Sequence, residues 1–181
     1  MGQVSGLIGQ PLTLYFKDVL GFTASQIEGW MFILVIPWTI KPLYGIVSDF
    51  FPILGSRRKS YLLIMNVIAA VGFVMMLGAT SINAIVMALL VASVGTAFSD
   101  VVIDALMIEK GRDTGKTDQF QGTQWMWMAV SSILASVAGG YLCEWFAPAA
   151  ALQIASAITI AAPLMVFVVT WLLVQDAKVT I

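Results

Sequence analysis

The chain has 181 residues, of which 60% are hydrophobic and 10% are charged, and its formal net charge is −1. Soluble domains carry about 25% charged residues, so this chain has too few charges to cover a water-soluble surface of its size. Its near-neutral charge argues against nucleic acid as a partner, because nucleic-acid binding needs a basic surface. The chain has no histidine and a single cysteine, Cys143, which excludes an intrachain disulfide.

The sequence carries no signature of an enzyme. It contains no glycine-rich phosphate loop before a helix and no cluster of metal ligands. We therefore expect a protein that is not an enzyme and that binds no metal and no cofactor.

The uncharged stretches predict helices that cross a lipid bilayer, because such a helix needs about 20 mostly apolar residues. Residues 1–16 form a first, shortened segment, which lacks the basic region expected at the start of a signal peptide. Residues 60–99 are long enough for two helices, with a turn at Thr80–Asn83. The sequence thus predicts an all-α polytopic membrane protein, a single bundle over residues 1–181 with six transmembrane helices at about 1–16, 28–48, 60–79, 84–108, 123–144 and 149–174.

The basic residues indicate the orientation of these helices, because Lys and Arg accumulate in cytoplasmic loops. Seven of the nine basic residues fall in the loops after helices two and four and in the tail after helix six: Arg57, Arg58, Lys59, Lys110, Arg112, Lys116 and Lys178. With six crossings, these regions share one face with both chain termini. We expect that face to be cytoplasmic or its topological equivalent.

Small residues predict close contacts between the helices. Gly95 and Ser99 are four residues apart in the fourth predicted helix, and Ser132, Ser136 and Gly140 repeat this spacing in the fifth. Membrane helices associate through such residues because they let two backbones approach each other.

The loop after the second predicted helix has a recognisable pattern. Gly45 is followed four residues later by Asp49, and then by the basic triplet Arg57-Arg58-Lys59. This pattern resembles the signature loop of the major facilitator superfamily, although the gap before Arg57 is longer than in the commonest form. The alternative is an ordinary loop that obeys the positive-inside rule.

Four collinear blocks resemble the folate–biopterin transporter family. They are Tyr15–Gly21, Lys41–Tyr61, Ser99–Leu106 followed by Glu109, and the weaker Gln121–Trp125. The resemblance implies a major facilitator fold and uptake of folates or other pterins by a carrier of twelve helices or slightly more. Because the chain matches only the first half, it is interpreted as an N-terminal six-helix half bundle. It is then either a fragment or a half-transporter that needs a second six-helix half in cis or in trans.

Three ionisable residues lie inside the predicted helices: Lys41, Asp100 and Asp104. Charges inside a membrane are costly, so they usually face a cavity or a partner. Counting the helical rise from the helix ends puts Lys41 and Asp100 at similar depths of about 10–12 Å. We expect both to line a substrate or ion pathway. A carboxylate can bind the amino-pyrimidine edge of a pterin or carry a proton in symport, and a lysine can attract the carboxylates of a folate.

Aromatic side chains near this pathway can stack on a flat pterin ring. Trp38 and Tyr44, both on the second predicted helix, are the candidates. Other tryptophans fall near predicted helix ends, where aromatic belts meet the membrane surface: Trp30, Trp125, Trp145 and Trp171.

A second group of residues is expected to form a latch at the cytoplasmic side. It comprises Gly45, Asp49, Arg57, Arg58, Lys59, Asp104 and Glu109. In the latch, an acidic side chain pairs with Arg57 or Arg58 while the carrier is open to the outside. Such pairs would hold helices two, three and four in register and break when the gate opens.

The leading interpretation is a secondary active transporter in a lipid membrane that works by alternating access. Two others remain open. One is a major facilitator carrier for a different solute, such as a sugar phosphate, an amino acid or a drug. The other is a truncated membrane protein that transports nothing and assembles with a complete carrier.

Overall fold

A computed structural model describes residues 4–53, 56 and 58–174 of the chain. These residues are organised as a bundle of helices. Its α-helices are α1 (Gly9–Leu14), α2 (Ala24–Thr39), α3 (Lys41–Phe50), α4 (Lys59–Leu77), α5 (Ile82–Thr114), α6 (Thr117–Trp145), α7 (Pro148–Thr159) and α8 (Ala161–Leu173). Two π-helical turns, Val4–Ile8 and Tyr15–Val19, continue α1 at its two ends.

Prolines divide two of the long helices into two parts each. Pro42 follows the break between α2 and α3 at Ile40, and Pro163 follows the break between α7 and α8 at Ile160. A proline ring collides with the carbonyl four residues earlier and has no N–H to donate, so the helix is interrupted within the preceding turn. The break at Ile40 makes Lys41 the first residue of α3.

Five segments are long and apolar enough to cross a membrane: Ala24–Phe50, Lys59–Leu77, Ile82–Thr114, Thr117–Trp145 and Pro148–Leu173. The chain is therefore a multi-pass helical membrane protein. The first predicted crossing corresponds to the shorter helical segment that begins at Val4 and ends at Val19. A total of six crossings thus stays a prediction.

The helices α5 and α6 are longer than the sequence predicts. The fourth predicted helix ends at residue 108, whereas α5 continues to Thr114, so Lys110 and Arg112 lie on a helix and not in a loop. The connection to α6 is a tight turn in which Gly115 has a φ of 68°. A helix of 33 residues is about 50 Å long, against about 30 Å for the hydrocarbon of a bilayer. Its charged C-terminal end therefore projects from the membrane.

The closest helix contact joins α4 and α5. A Cβ atom built on Gly72 would lie 2.4 Å from the Ala92 backbone nitrogen, and one on Gly95 would lie 2.5 Å from the Met65 carbonyl oxygen. The two backbones therefore touch, as the spacing of Gly95 and Ser99 predicts. This contact fixes which face of α5 is buried against α4 and which face is left for other partners.

We predict that Gly95→Leu lowers the thermal unfolding midpoint of the purified chain in detergent by about 5 °C or more, because the new side chain collides with the α4 backbone. Gly122→Leu is the matched control, since a Cβ there meets nothing within 4 Å. Equal midpoints for the two variants would contradict the close α4–α5 contact.

Candidate functional site

A cleft of about 460 Å³ lies between α3, α5 and α6. Its α5 wall consists of Asp100, Asp104, Met107, Ile108 and Arg112. Its α6 wall consists of Thr117, Gln121, Gln124, Trp125 and Met128. Residues three or four apart share one face of a helix, so each wall is a continuous stripe. The cleft therefore follows the α5–α6 pair from Lys41 on α3 to the turn at Gly115.

Lys41 and Asp100 form an ion pair within this cleft. The Lys41 Nζ atom lies 2.5 Å from Asp100 Oδ2 and 4.7 Å from the centroid of the Trp38 ring. The Trp38 indole in turn donates to Ser93 Oγ over 3.0 Å, which fixes the ring against α5. Lys41 and Asp100, which the sequence predicts at similar depths, are therefore in contact, and Trp38 supports the lysine.

Asp104, which the sequence assigns to the latch, lines the cleft. Its Oδ1 atom accepts a hydrogen bond of 2.7 Å from Gln124 Nε2, across the gap between α5 and α6. Within the part of the chain that the structure describes, no ion pair joins Asp104 to Arg58 or to any other cation. The expected pairing of Asp104 with Arg58 is therefore not seen among the described residues, and its alternative pairing with Arg57 lies outside them.

Tyr44 is buried in a side-chain cluster and does not line the cleft. Its ring centroid lies 4.9 Å from that of Phe98, which stacks in turn on Tyr61 at 5.2 Å. The structure places Trp125 in the cleft instead, although its position near a predicted helix end indicated an aromatic belt. Because α6 begins at Thr117, earlier than predicted, Trp125 lies two turns inside the helix.

Arg58 binds two carboxylates at the end of the bundle where α3 meets α4. Its Nη1 atom lies 2.8 Å from Asp49 Oδ1, and its Nη2 atom lies 2.6 Å from Glu109 Oε1. Nη1 also donates to the fully buried Ser48 Oγ over 3.1 Å. The Arg58 side chain is only 8% exposed, whereas Asp49 and Glu109 are more than half exposed. The buried guanidinium is thus the centre that joins α3, α4 and α5.

The electrostatics of this cluster keep Arg58 charged. Burial of the guanidinium lowers its pKa, but the hydrogen bonds and negative charges of Glu109 and Asp49 together raise the pKa above its usual value. The neighbouring Arg57 lies outside the described residues.

Gly45 and Lys59 contribute to the same end of the bundle in different ways. A Cβ atom on Gly45 would lie 3.7 Å from Val101 Cγ1, so α3 runs close to α5 one turn before Asp49. Lys59 Nζ donates to the Trp171 carbonyl oxygen over 3.0 Å and lies 5.7 Å from the centroid of that indole. Lys59 therefore ties α4 to α8, on another side of α4 from the pairs that Arg58 makes with α3 and α5.

A smaller cavity of about 130 Å³ lies beyond Asp100, between α4, α5 and the α7–α8 segment. Among its polar residues, Asn66 donates to Ser99 Oγ over 3.1 Å and to the Leu62 carbonyl over 2.8 Å. Asp100 thus borders two cavities. Asn66 is not among the residues predicted from the sequence, although an amide side chain inside an apolar helix is a signal that points to it.

Comparison with known proteins gives one family and several named relatives. The model of the BT1 family matches residues 2–180. A folate-biopterin transporter of Synechocystis sp. is 30% identical over 146 residues, which cover 79% of this chain and 30% of the relative. Probable folate-biopterin transporter 4 of Arabidopsis thaliana is 37% identical over 131 residues, which cover 69% and 27% of the two chains. Folate transporter 2 of Plasmodium falciparum is 26% identical over 137 residues, covering 71% and 29%.

The matched regions therefore span less than a third of the length of these relatives. No solved structure matches significantly. The relatives bear the names of transporters and not of enzymes, in agreement with the expectation from the sequence. Since the family model covers nearly the whole chain, this protein belongs to the BT1 family.

Proposed function

We propose that this chain forms one six-helix half of a secondary transporter that moves folates or pterins across a membrane by alternating access. The second half is supplied by further residues of a longer chain or by another chain. The names of the relatives support the substrate class. The observation that carries the proposal is the ion pair of Lys41 and Asp100, which borders a cleft inside a bundle of apolar helices.

The ion pair has the properties of a site that binds and releases charged groups. Both side chains are about a third exposed, at 33% and 28%, so a solute in the cleft can reach them. An ion pair inside a membrane contributes little as a structural element because desolvation offsets much of its attraction. We infer that a substrate or a proton at Asp100 separates the pair during transport, which couples occupancy of the site to movement of α3.

The Arg58 cluster acts as the cytoplasmic latch in this proposal. It joins the C-terminal part of α3 to α4 and α5 through Asp49 and Glu109. Removing one carboxylate leaves a buried cation with fewer partners, which costs more free energy than the pair itself contributes. Opening towards the cytoplasm requires these contacts to break, so the latch sets the balance between the two access states.

Uptake measurements on the chain assembled with its second half test the pathway. Asp100→Asn is expected to reduce uptake of labelled folate to the background level while the amount of protein in the membrane is unchanged, because the amide neither pairs with Lys41 nor carries a proton. Asp118→Asn, an exposed site in the first turn of α6, is the control and should retain uptake. Excess unlabelled pterin should compete, and an amino acid or a sugar phosphate should not. Normal uptake by Asp100→Asn would remove this residue from the pathway.

A labelling experiment tests the latch. In a background in which the native cysteine is replaced by Cys143→Ser, a reporter cysteine is introduced by Gly45→Cys, where a Cβ fits. Glu109→Gln is expected to speed its reaction with a membrane-impermeant maleimide severalfold from the cytoplasmic side, because Arg58 then holds α3 to α5 less tightly. Asp113→Asn, one turn further along α5, should leave the rate unchanged. Equal rates in the two variants would contradict the latch.

The orientation is tested with two further single cysteines. A cysteine from Lys116→Cys, in the turn after α5, is expected to react only from the cytoplasmic side, as the positive-inside rule requires. A cysteine from Ser81→Cys, just before α5, should react only from the opposite side. Reaction of both from one side would contradict a membrane crossing by α5.

A further inference from the structure

We propose that the cleft between α5 and α6 binds a folate in one direction, with the pterin edge at Asp104 and the glutamate carboxylates at Arg112. This inference rests on the substrate class proposed above. It assigns a direction to the ligand in the cleft, here called the polarity of the cleft. It also gives a specificity-determining role to Arg112, which lies near the α5–α6 turn.

Next to its Lys41 end, the cleft offers a carboxylate that has no cationic partner among the described residues. Asp104 accepts one hydrogen bond from Gln124 and takes part in none of the ion pairs formed by the described residues. A carboxylate can accept two parallel hydrogen bonds from neighbouring N–H groups. The amino-pyrimidine edge of a pterin presents such a pair, from its exocyclic amine and the adjacent ring nitrogen.

Lys41 is poorly suited to bind the carboxylates of the same ligand. Its ammonium group is held by Asp100 at 2.5 Å and by the Trp38 ring, so a ligand carboxylate would have to displace an existing pair. The opposite charges of Lys41 and Asp100 also cancel at longer range. The cation available to an incoming anion must therefore lie elsewhere in the cleft.

Arg112 is such a cation, at the other end of the same stripe. It lines the cleft, is exposed, and takes part in none of the ion pairs formed by the described residues. A guanidinium binds a carboxylate through two parallel hydrogen bonds. Arg112 follows Asp104 by eight residues on one helix, which corresponds to about 12 Å along the axis.

The surface between these two ends is apolar and has an aromatic side chain. Met107 and Ile108 on α5 face Trp125 and Met128 on α6. This part of the cleft suits the flat aromatic linker that joins the pterin and the glutamate of a folate, because an indole can stack on it. A pterin without the tail reaches the Asp104 end alone, whereas a folate reaches both charged ends.

Equilibrium binding of folate and of biopterin to the chain in lipid nanodiscs tests this arrangement, with tryptophan fluorescence as the signal. Arg112→Gln is expected to weaken folate binding about tenfold or more, since it removes a charge-assisted pair, and to leave biopterin binding within about twofold of the wild type. Asp104→Asn should weaken both ligands. Lys110→Gln is the matched control: it removes a basic residue two positions away that does not line the cleft, and it should affect neither ligand.

The outcomes separate the inference from the proposed function. If wild-type protein binds folate and biopterin, but Arg112→Gln weakens both equally or neither, the assigned polarity is wrong and the transport proposal survives. An equal loss of folate binding in Lys110→Gln would mean that basic charge near the turn, and not Arg112, attracts the tail. If the wild-type chain binds no pterin at all, the assigned site fails, whereas the transport proposal, which includes a second half, is decided by the uptake measurements described above.

Discussion

The contact between the backbones of α4 and α5 determines the position of every other functional element. Small residues on one face of α5 let it approach α4 so closely that side chains larger than hydrogen do not fit at Gly72 or Gly95. The opposite face of α5 carries the acidic stripe that includes Asp100 and Asp104. Because an α-helix is stiff, fixing one face against α4 also fixes the direction of the other towards α3 and α6.

The charges inside the bundle follow from the same arrangement. A lipid environment gives an isolated charge no favourable solvation, so the ionisable side chains gather where two or three helices meet. Lys41 meets Asp100 between α3 and α5, and Arg58 joins Asp49 and Glu109 between α3, α4 and α5. The two sites differ in burial, because the cation is nearly enclosed in one and about a third exposed in the other. This difference suits one to hold helices together and the other to meet a solute.

The relative levels of residues along neighbouring helices could be predicted from the sequence. The rotation of each helix about its own axis could not. Counting residues from the helix ends places Lys41 and Asp100 at one level, and these two residues do meet. The same counting cannot tell that Asp104 faces Gln124 and not Arg58, since that depends on how α5 and α6 are rotated. Hydropathy also underestimates α5, because a charge ends an apolar stretch without ending a helix. Tyr44 was expected near the pathway, whereas it is buried against Phe98. This position depends on the rotation of α3, which the sequence does not show.

The short helix α3 has a mechanical consequence for how the two charged sites work together. It begins at Lys41 and carries Asp49 near its other end, eight residues or about 12 Å away. The interruption at Ile40 separates α3 from α2, the other part of the same apolar segment, and is the point about which α3 would rotate. Because Lys41 and Asp49 lie on the same short helix, a rotation of α3 about Ile40 would move both residues together, and Asp49, which is farther from Ile40, would move through the longer distance. Under the proposed function, a small displacement of Lys41 by an occupant would therefore accompany a larger displacement of Asp49.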